Sequence, residues 1–287
     1  VTTTPETPSG PPPPGGPLPH AHPGSPLPHA HRVREVGSEA PFLWLAAGWR
    51  DLARAPVLSL AWGALFTGGG LGIFAALWGL DMLYLLSPLI GGFLLVGPLL
   101  TLGLYDISRC LERGERPSLK SAVTAWRDNP FHVMTCGLLL MLVMLTWVRL
   151  AVIVYALFYP YDTIDMGNLW AAMTTPVGLG FAATSMALGG AVAAGVFVCG
   201  VVALPMLRDR RVDPFQAALV SLLAVLHNPG PMLLWAGLIA LFTVGGLLTG
   251  FLGLIVTLPL IGHASWHAYR ALVPDPPGVI AGRSVED

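Results

Sequence analysis

The sequence predicts an all-α membrane protein with about six transmembrane helices, organised as three parallel repeats of an interfacial helix followed by a transmembrane hairpin. Three observations carry that expectation. Hydrophobic residues make up 54% of the 287-residue chain and charged residues only 11%, against about a quarter in a soluble globular domain. Apolar runs of about 20 residues, the length that crosses a bilayer, recur six times. Lysine and arginine crowd into alternate connections between those runs, the pattern of the positive-inside rule.

Composition also excludes. Mean hydropathy is +0.68, and a net charge of −1 leaves no basic field to attract nucleic acid. Cys110, Cys136 and Cys199 are too few and too scattered for a disulfide framework, and no CxxC or Cys/His cluster points to zinc. The lipid bilayer is the expected partner, together with a membrane protein or a second copy of the chain.

Residues 1–34 read as a Pro/Gly/His-rich cytoplasmic tail. Eleven of the 27 prolines precede residue 32, and the segment lacks the apolar run of a signal peptide. It repeats itself, Pro17-Leu18-Pro19-His20-Ala21-His22 being echoed by Pro26-Leu27-Pro28-His29-Ala30-His31. Such a segment cannot bury a core and is expected to be disordered. Its two His-Ala-His units are weak candidates for a transition metal, and a solvated tail is the plainer reading.

Residues 35–272 read as the membrane domain and 273–287 as a short cytoplasmic tail. The six apolar runs are 57–80, 82–105, 131–158, 177–207, 231–248 and 251–269. The last two join around Thr249-Gly250, tightly enough that one of them is a candidate re-entrant segment. Fourteen of the fifteen basic residues lie on one set of connections, while the opposite set holds only acids, Asp81, Asp162 and Asp165. The expected location is the inner membrane with both termini cytoplasmic. Aromatic residues such as Trp44, Trp49, Trp126, Trp266 and Tyr269 fall near the inner boundary, where amphipathic rings settle at headgroups. Trp78, Tyr84, Tyr155, Tyr161 and Trp170 fall near the outer one.

The repeat is read from proline. Pro41 and Pro56, Pro117 and Pro130, and Pro214 and Pro229 are spaced 13 to 15 positions apart, and an apolar run follows each pair. The physical reading is a short amphipathic helix in the interface. It begins at a proline tolerated in its first turn and stops before the next. The outgoing runs match at Gly97-Pro98, Leu204-Pro205 and Leu258-Pro259. Three such copies starting on one side would be parallel repeats. Chance likeness among proline-punctuated apolar segments is the rival. Small-residue pairs, Gly68 with Gly72 and Gly246 with Gly250, are the expected contact points between helices.

No catalytic set, cofactor site or metal site emerges. Ser87, Ser185 and Ser265 lack a visible His/Asp setting, and the glycine runs lack the lysine of a phosphate loop. The residues that stand out are Arg149, Asp106, Arg109, His227 and Asn228. Arg149 interrupts an apolar run, at a cost of about 2.5–3.5 kcal/mol if it sits mid-membrane. It reads either as a ligand contact in a cavity or as an arginine snorkelling toward Asp162 or Asp165. Asp106, Arg109, His227 and Asn228 are the available polar cluster for any enzyme acting on lipid. The stretch 106–128 reads as a solvated connection, or else as a dock for a partner or anionic headgroups. His263 and His267, four apart, share a helix face in an interfacial setting that needs no ligand.

Trp49-Arg50-Asp51, the stretch Gly92-Phe93 through Gly97-Pro98 to Gly103-Leu104-Tyr105-Asp106-Ile107-Ser108-Arg109, and Glu112-Arg113-Gly114 resemble the bacterial inner-membrane family called domain of unknown function 2189. The resemblance covers about residues 35–272 and is most specific over 103–114. It implies a multi-helix membrane protein with no established activity, so it assigns no functional residues. The expected function is therefore that of a non-catalytic scaffold or accessory protein. The alternative is a small transporter or channel using a cavity near Arg149.

Overall fold

A computed structural model describes residues 33–86, 89–90, 101–159 and 174–275, and every structural statement below concerns these. They form ten α-helices, with no strand among them. In chain order the helices are α1 (Ala40–Arg54), α2 (Pro56–Gly79), α3 (Leu102–Glu112), α4 (Leu119–Thr124), α5 (Pro130–Phe158), α6 (Pro176–Gly200), α7 (Ala203–Asp209), α8 (Pro214–His227), α9 (Pro229–Leu248) and α10 (Leu254–Leu272). The predicted all-α membrane class holds.

Proline starts five of these helices, at Pro56, Pro130, Pro176, Pro214 and Pro229. The first helical N–H has no intrahelical acceptor, so proline loses nothing there. Side chains cap three of the starts. Ser118 Oγ accepts from Ser121 N at 3.1 Å, Thr175 Oγ1 from Gly178 N at 3.0 Å and Asp213 Oδ1 from Gln216 N at 2.9 Å.

The proline-bracketed pattern recurs in three dimensions. Helix α1, α4 with its following 3-10 turn (Ala125–Asp128), and α8 are each separated by one residue from a proline that opens a long apolar helix. The joining residues have nearly one conformation: Ala55 at φ −128, ψ 54, Asn129 at φ −144, ψ 59, and Asn228 at φ −130, ψ 51. The following proline disfavours helical backbone at each. Three residues past each proline a side chain turns inward, and Ser59, Val133 and Met232 are all buried.

Four helices are long and apolar enough to span a membrane: Pro56–Gly79, Pro130–Phe158, Pro176–Asp209 running through α6 and α7, and Pro229–Leu248. They turn outward large apolar side chains such as Leu65, Met134, Met186 and Leu241, the surface that lipid covers. Of the other two predicted runs, 82–105 lies half outside the described residues. The run 251–269 is helical as α10, and its last turns carry His263, Ser265, His267 and Arg270. The α9–α10 turn is tight as expected, with Gly250 and Phe251 both left-handed (φ 66 and 70).

Helix α10 is the hub, packing on α1, α2, α3 and α9. Backbones approach closely where glycine removes the side chain. A Cβ on Gly48 of α1 would lie 2.7 Å from Ala264 N, and one on Gly63 of α2 would lie 2.2 Å from Ile255 O. Pro259, four residues on, deprives that Ile255 carbonyl of its helical donor. Gly262 admits Leu104 of α3 in the same way. Among the predicted small-residue contacts, Gly246 packs on Leu254 and Thr257, whereas Gly68 and Gly72 face open space. Lipid gives apolar helices no drive to associate, so close backbone approach sets this packing.

Two expectations are corrected. Trp44, Trp266 and Tyr269 are not headgroup anchors. They are buried in the core, with Trp44 edge-on to Trp235 at 5.7 Å between ring centroids. Trp49 and Trp126 do stand exposed. Residues 106–112 are not a solvated connection, because they continue α3 with Asp106, Ile107, Ser108 and Cys110 buried against neighbouring helices. Residues flanking 35–272 also pack on the bundle. Arg34 N donates to Leu272 O at 2.9 Å, and Val273 is fully buried. The 1–32 tail lies outside the described residues, as do Tyr161, Asp162, Asp165 and Trp170.

Candidate functional site

Polar groups concentrate at one end of the bundle, where helices α3, α7 and α10 meet one another. Each is amphipathic or carries its charges in the last turns, so apolar residues pack above and ionic groups gather below. Side-chain bonds join all three pairs. Arg208 of α7 donates to Asp106 of α3, and both side chains are nearly fully buried. Tyr269 of α10 donates to Asp209 of α7 at 2.7 Å. Trp266 and Arg270 of α10 donate to the Glu112 carboxylate of α3 at 2.9 and 3.0 Å. Arg208 also reaches Asp128, after α4, at 2.7 Å. Arg109 lies 3.6 Å from Asp106 and 3.8 Å from Asp128. Two arginines and two aspartates thus neutralise one another. Asp106 Oδ2 and the Nε atoms of Arg109 and Arg208 make no hydrogen bond among the described residues.

A second polar group lies on the other side of α3. His263 of α10 is wholly buried, with Nε2 2.9 Å from Ser59 Oγ of α2 and Nδ1 2.8 Å from Ser108 Oγ of α3. A neutral imidazole has one donor and one acceptor nitrogen. One serine therefore donates and the other accepts. One turn on, His267 Nε2–H donates to Asp51 of α1 at 2.7 Å. Burial works to raise the Asp51 pKa. The hydrogen bond and charge of His267, with a further bond from Ser108, outweigh it and hold the carboxyl below its ordinary value.

The structure separates the five residues that the sequence singled out. Asp106 and Arg109 belong to the ionic cluster. Asn228 is buried elsewhere, where it holds the chain entering α1: its Oδ1 accepts from Val36 N at 2.8 Å and its Nδ2 donates to Arg34 O at 3.0 Å. His227 is exposed and donates to Leu223 O at 2.7 Å within its own helix. Arg149 is exposed on α5 beside a shallow hollow lined by Leu145, Thr146, Val148, Leu150 and Val152, all of that helix. Asp162 and Asp165, its predicted pairing partners, lie outside the described residues.

Sequence reasoning missed Arg208, Asp128, Ser59 and Ser108 as site residues. Arg208 counted only as an orientation charge, and the serines carry no local signal. The His263/His267 spacing was visible, but the partners came from three other helices. Among the described residues no three His, Cys, Asp or Glu side chains gather as a metal site.

No curated protein and no solved structure matches the chain. A family model described as "Predicted integral membrane protein (DUF2189)" matches residues 86–209. That match takes in α3 through α7 and includes Asp106, Arg109, Asp128 and Arg208, the whole ionic cluster. Over this segment the chain is similar to the DUF2189 family of predicted integral membrane proteins.

Proposed function

We propose that the chain is a non-catalytic scaffold or accessory protein of the inner membrane, with its charged end and both termini in the cytoplasm. The observation that carries this reading is the mutual bonding of α3, α7 and α10 through Arg208–Asp106, Tyr269–Asp209 and Trp266–Glu112. A catalytic centre needs reactive groups facing an accessible space. Here the reactive types are buried and engaged, Ser59 and Ser108 with His263, and Asp106 with Arg208. Fourteen of fifteen basic residues on one side support the orientation. Cross-linking in intact membranes, followed by gentle extraction and native mass measurement, tests the role. A stoichiometric partner or a defined oligomer is the expected result. Turnover or solute flux by the purified chain alone would overturn it. A reporter fused after Ala271 should be active in the cytoplasm, and periplasmic activity would reverse the orientation.

A second reading is a small transporter or channel using a cavity near Arg149. An arginine inside an apolar helix favours it. Solute flux in proteoliposomes that vanishes with Arg149→Ala would promote it over the first.

A further inference from the structure

We propose that Trp49-Arg50 of α1 and Trp126-Arg127 after α4 form a pair of docking sites for anionic phospholipid headgroups. Both belong to a Trp-Arg-Asp sequence, and both copies divide their side chains the same way. The aspartate turns to the bundle: Asp51 meets His267 of α10, and Asp128 meets Arg208 of α7. The tryptophan and arginine turn outward. Trp49 is 54% exposed and Trp126 41%, and the Arg127 guanidinium sits 5.4 Å above the Trp126 ring.

Charge complementarity names the occupant. Five acids at this end, Asp51, Asp106, Glu112, Asp128 and Asp209, pair with cationic groups of the bundle, while Glu35, Glu39, Glu115 and Asp213 are exposed. Arg50, Arg54, Lys120 and Arg127 are left exposed beside Trp49 and Trp126. Basic and aromatic side chains thus stand together at both tryptophans although the chain as a whole carries a charge of −1. Its depth fits as well. Trp49 and Trp126 lie seven and four residues before Pro56 and Pro130, which open spanning helices. At about 1.5 Å per helical residue both rings fall within about 10 Å of the span ends, at headgroup level. Val57 and Phe131, just past those prolines, are exposed apolar residues that continue the lipid-facing surface. An indole at the interface with arginine phosphate contacts beside it recognises a lipid rather than a free ion.

The test uses the full chain in nanodiscs of phosphatidylcholine with or without phosphatidylglycerol, reading thermal unfolding. The anionic lipid should raise Tm by several degrees, and the rise should shrink with added salt. It should fall by at least half in the Arg50→Gln/Arg54→Gln/Lys120→Gln/Arg127→Gln variant, whose substituted side chains support no core contact. An undiminished rise in that variant overturns the proposal. So does an equal rise from inorganic phosphate in phosphatidylcholine, which would mean an ion site. Should the quadruple variant not fold, native mass spectrometry of Arg50→Gln and Arg127→Gln decides. Each should retain fewer phosphatidylglycerol adducts than the parent and the same number of phosphatidylcholine adducts. Unchanged phosphatidylglycerol retention in both overturns it.

Discussion

Arg208 and Asp106, 102 residues apart in sequence, form a nearly solvent-free ion pair between α7 and α3. Removing one partner of a buried pair leaves an uncompensated charge and costs about 3–5 kcal/mol, whereas replacing both with apolar residues is often neutral or better. Asp106→Ala and Arg208→Ala are therefore each expected to destabilise by that amount. The double variant Asp106→Leu/Arg208→Met should recover most of the loss, the more so because Asp106 Oδ2 and Arg208 Nε lack partners among the described residues. Thermal unfolding in detergent across the four proteins reads the coupling. Additive losses would mean that the two side chains do not act as a pair.

Acid should loosen α1 from α10 through Asp51. Its carboxyl is held below the ordinary value near 3.8 by His267 and Ser108 despite burial. A depressed carboxyl contributes stability above its unfolded pKa, and that contribution is lost as pH falls through the lower, folded value. The stability difference between the parent and Asp51→Asn should therefore stay level on the acid side down to about pH 4 and close below it. Unfolding measured against pH on both proteins checks this. A difference that closes well above pH 4 would assign the pH dependence to another group.

The long helices were legible because a run of about 20 apolar residues has few other fates. The three short helices were legible because proline marks both ends. What was not legible is which residues meet across the bundle. Asp106 and Arg208 are adjacent only once α3 and α7 are docked, and no local pattern announces that. Trp44 and Trp266 read as interfacial because amphipathic rings near span ends commonly are. Close backbone approach at Gly48, and room for the Leu104 side chain at Gly262, instead bring α1 and α3 onto α10 and enclose them. The same glycines show why the GxxxG reading failed at Gly68 and Gly72, since spacing alone does not say which face has a neighbour.

That contrast predicts opposite responses to one substitution. Gly63→Ala places a Cβ 2.2 Å from Ile255 O, which is backbone and cannot swing aside. Helices α2 and α10 must separate, at about 1–3 kcal/mol for overpacking. Gly68→Ala, one turn and a fraction further along the same helix, meets nothing within 4 Å and should gain up to about 1 kcal/mol from helix propensity. Unfolding of the two variants side by side gives the answer. Equal effects would mean that the α2–α10 crossing lies elsewhere.

The His263 site predicts non-additivity of another kind. Ser59→Ala and Ser108→Ala each remove a side-chain partner from a ring nitrogen in a fully buried place, at up to about 1–3 kcal/mol. Ser265, also buried, bonds only back to Ile261 O at 2.8 Å, so Ser265→Ala should cost less than about 1 kcal/mol. Removing the ring along with its partners lifts the penalty, because no polar group is left without a bond. The triple variant Ser59→Ala/Ser108→Ala/His263→Leu should then be more stable than either serine variant alone. Tm values for the four proteins and the parent measure this. A triple variant less stable than both single ones would show that His263 holds α2, α3 and α10 together by its shape rather than by its two hydrogen bonds.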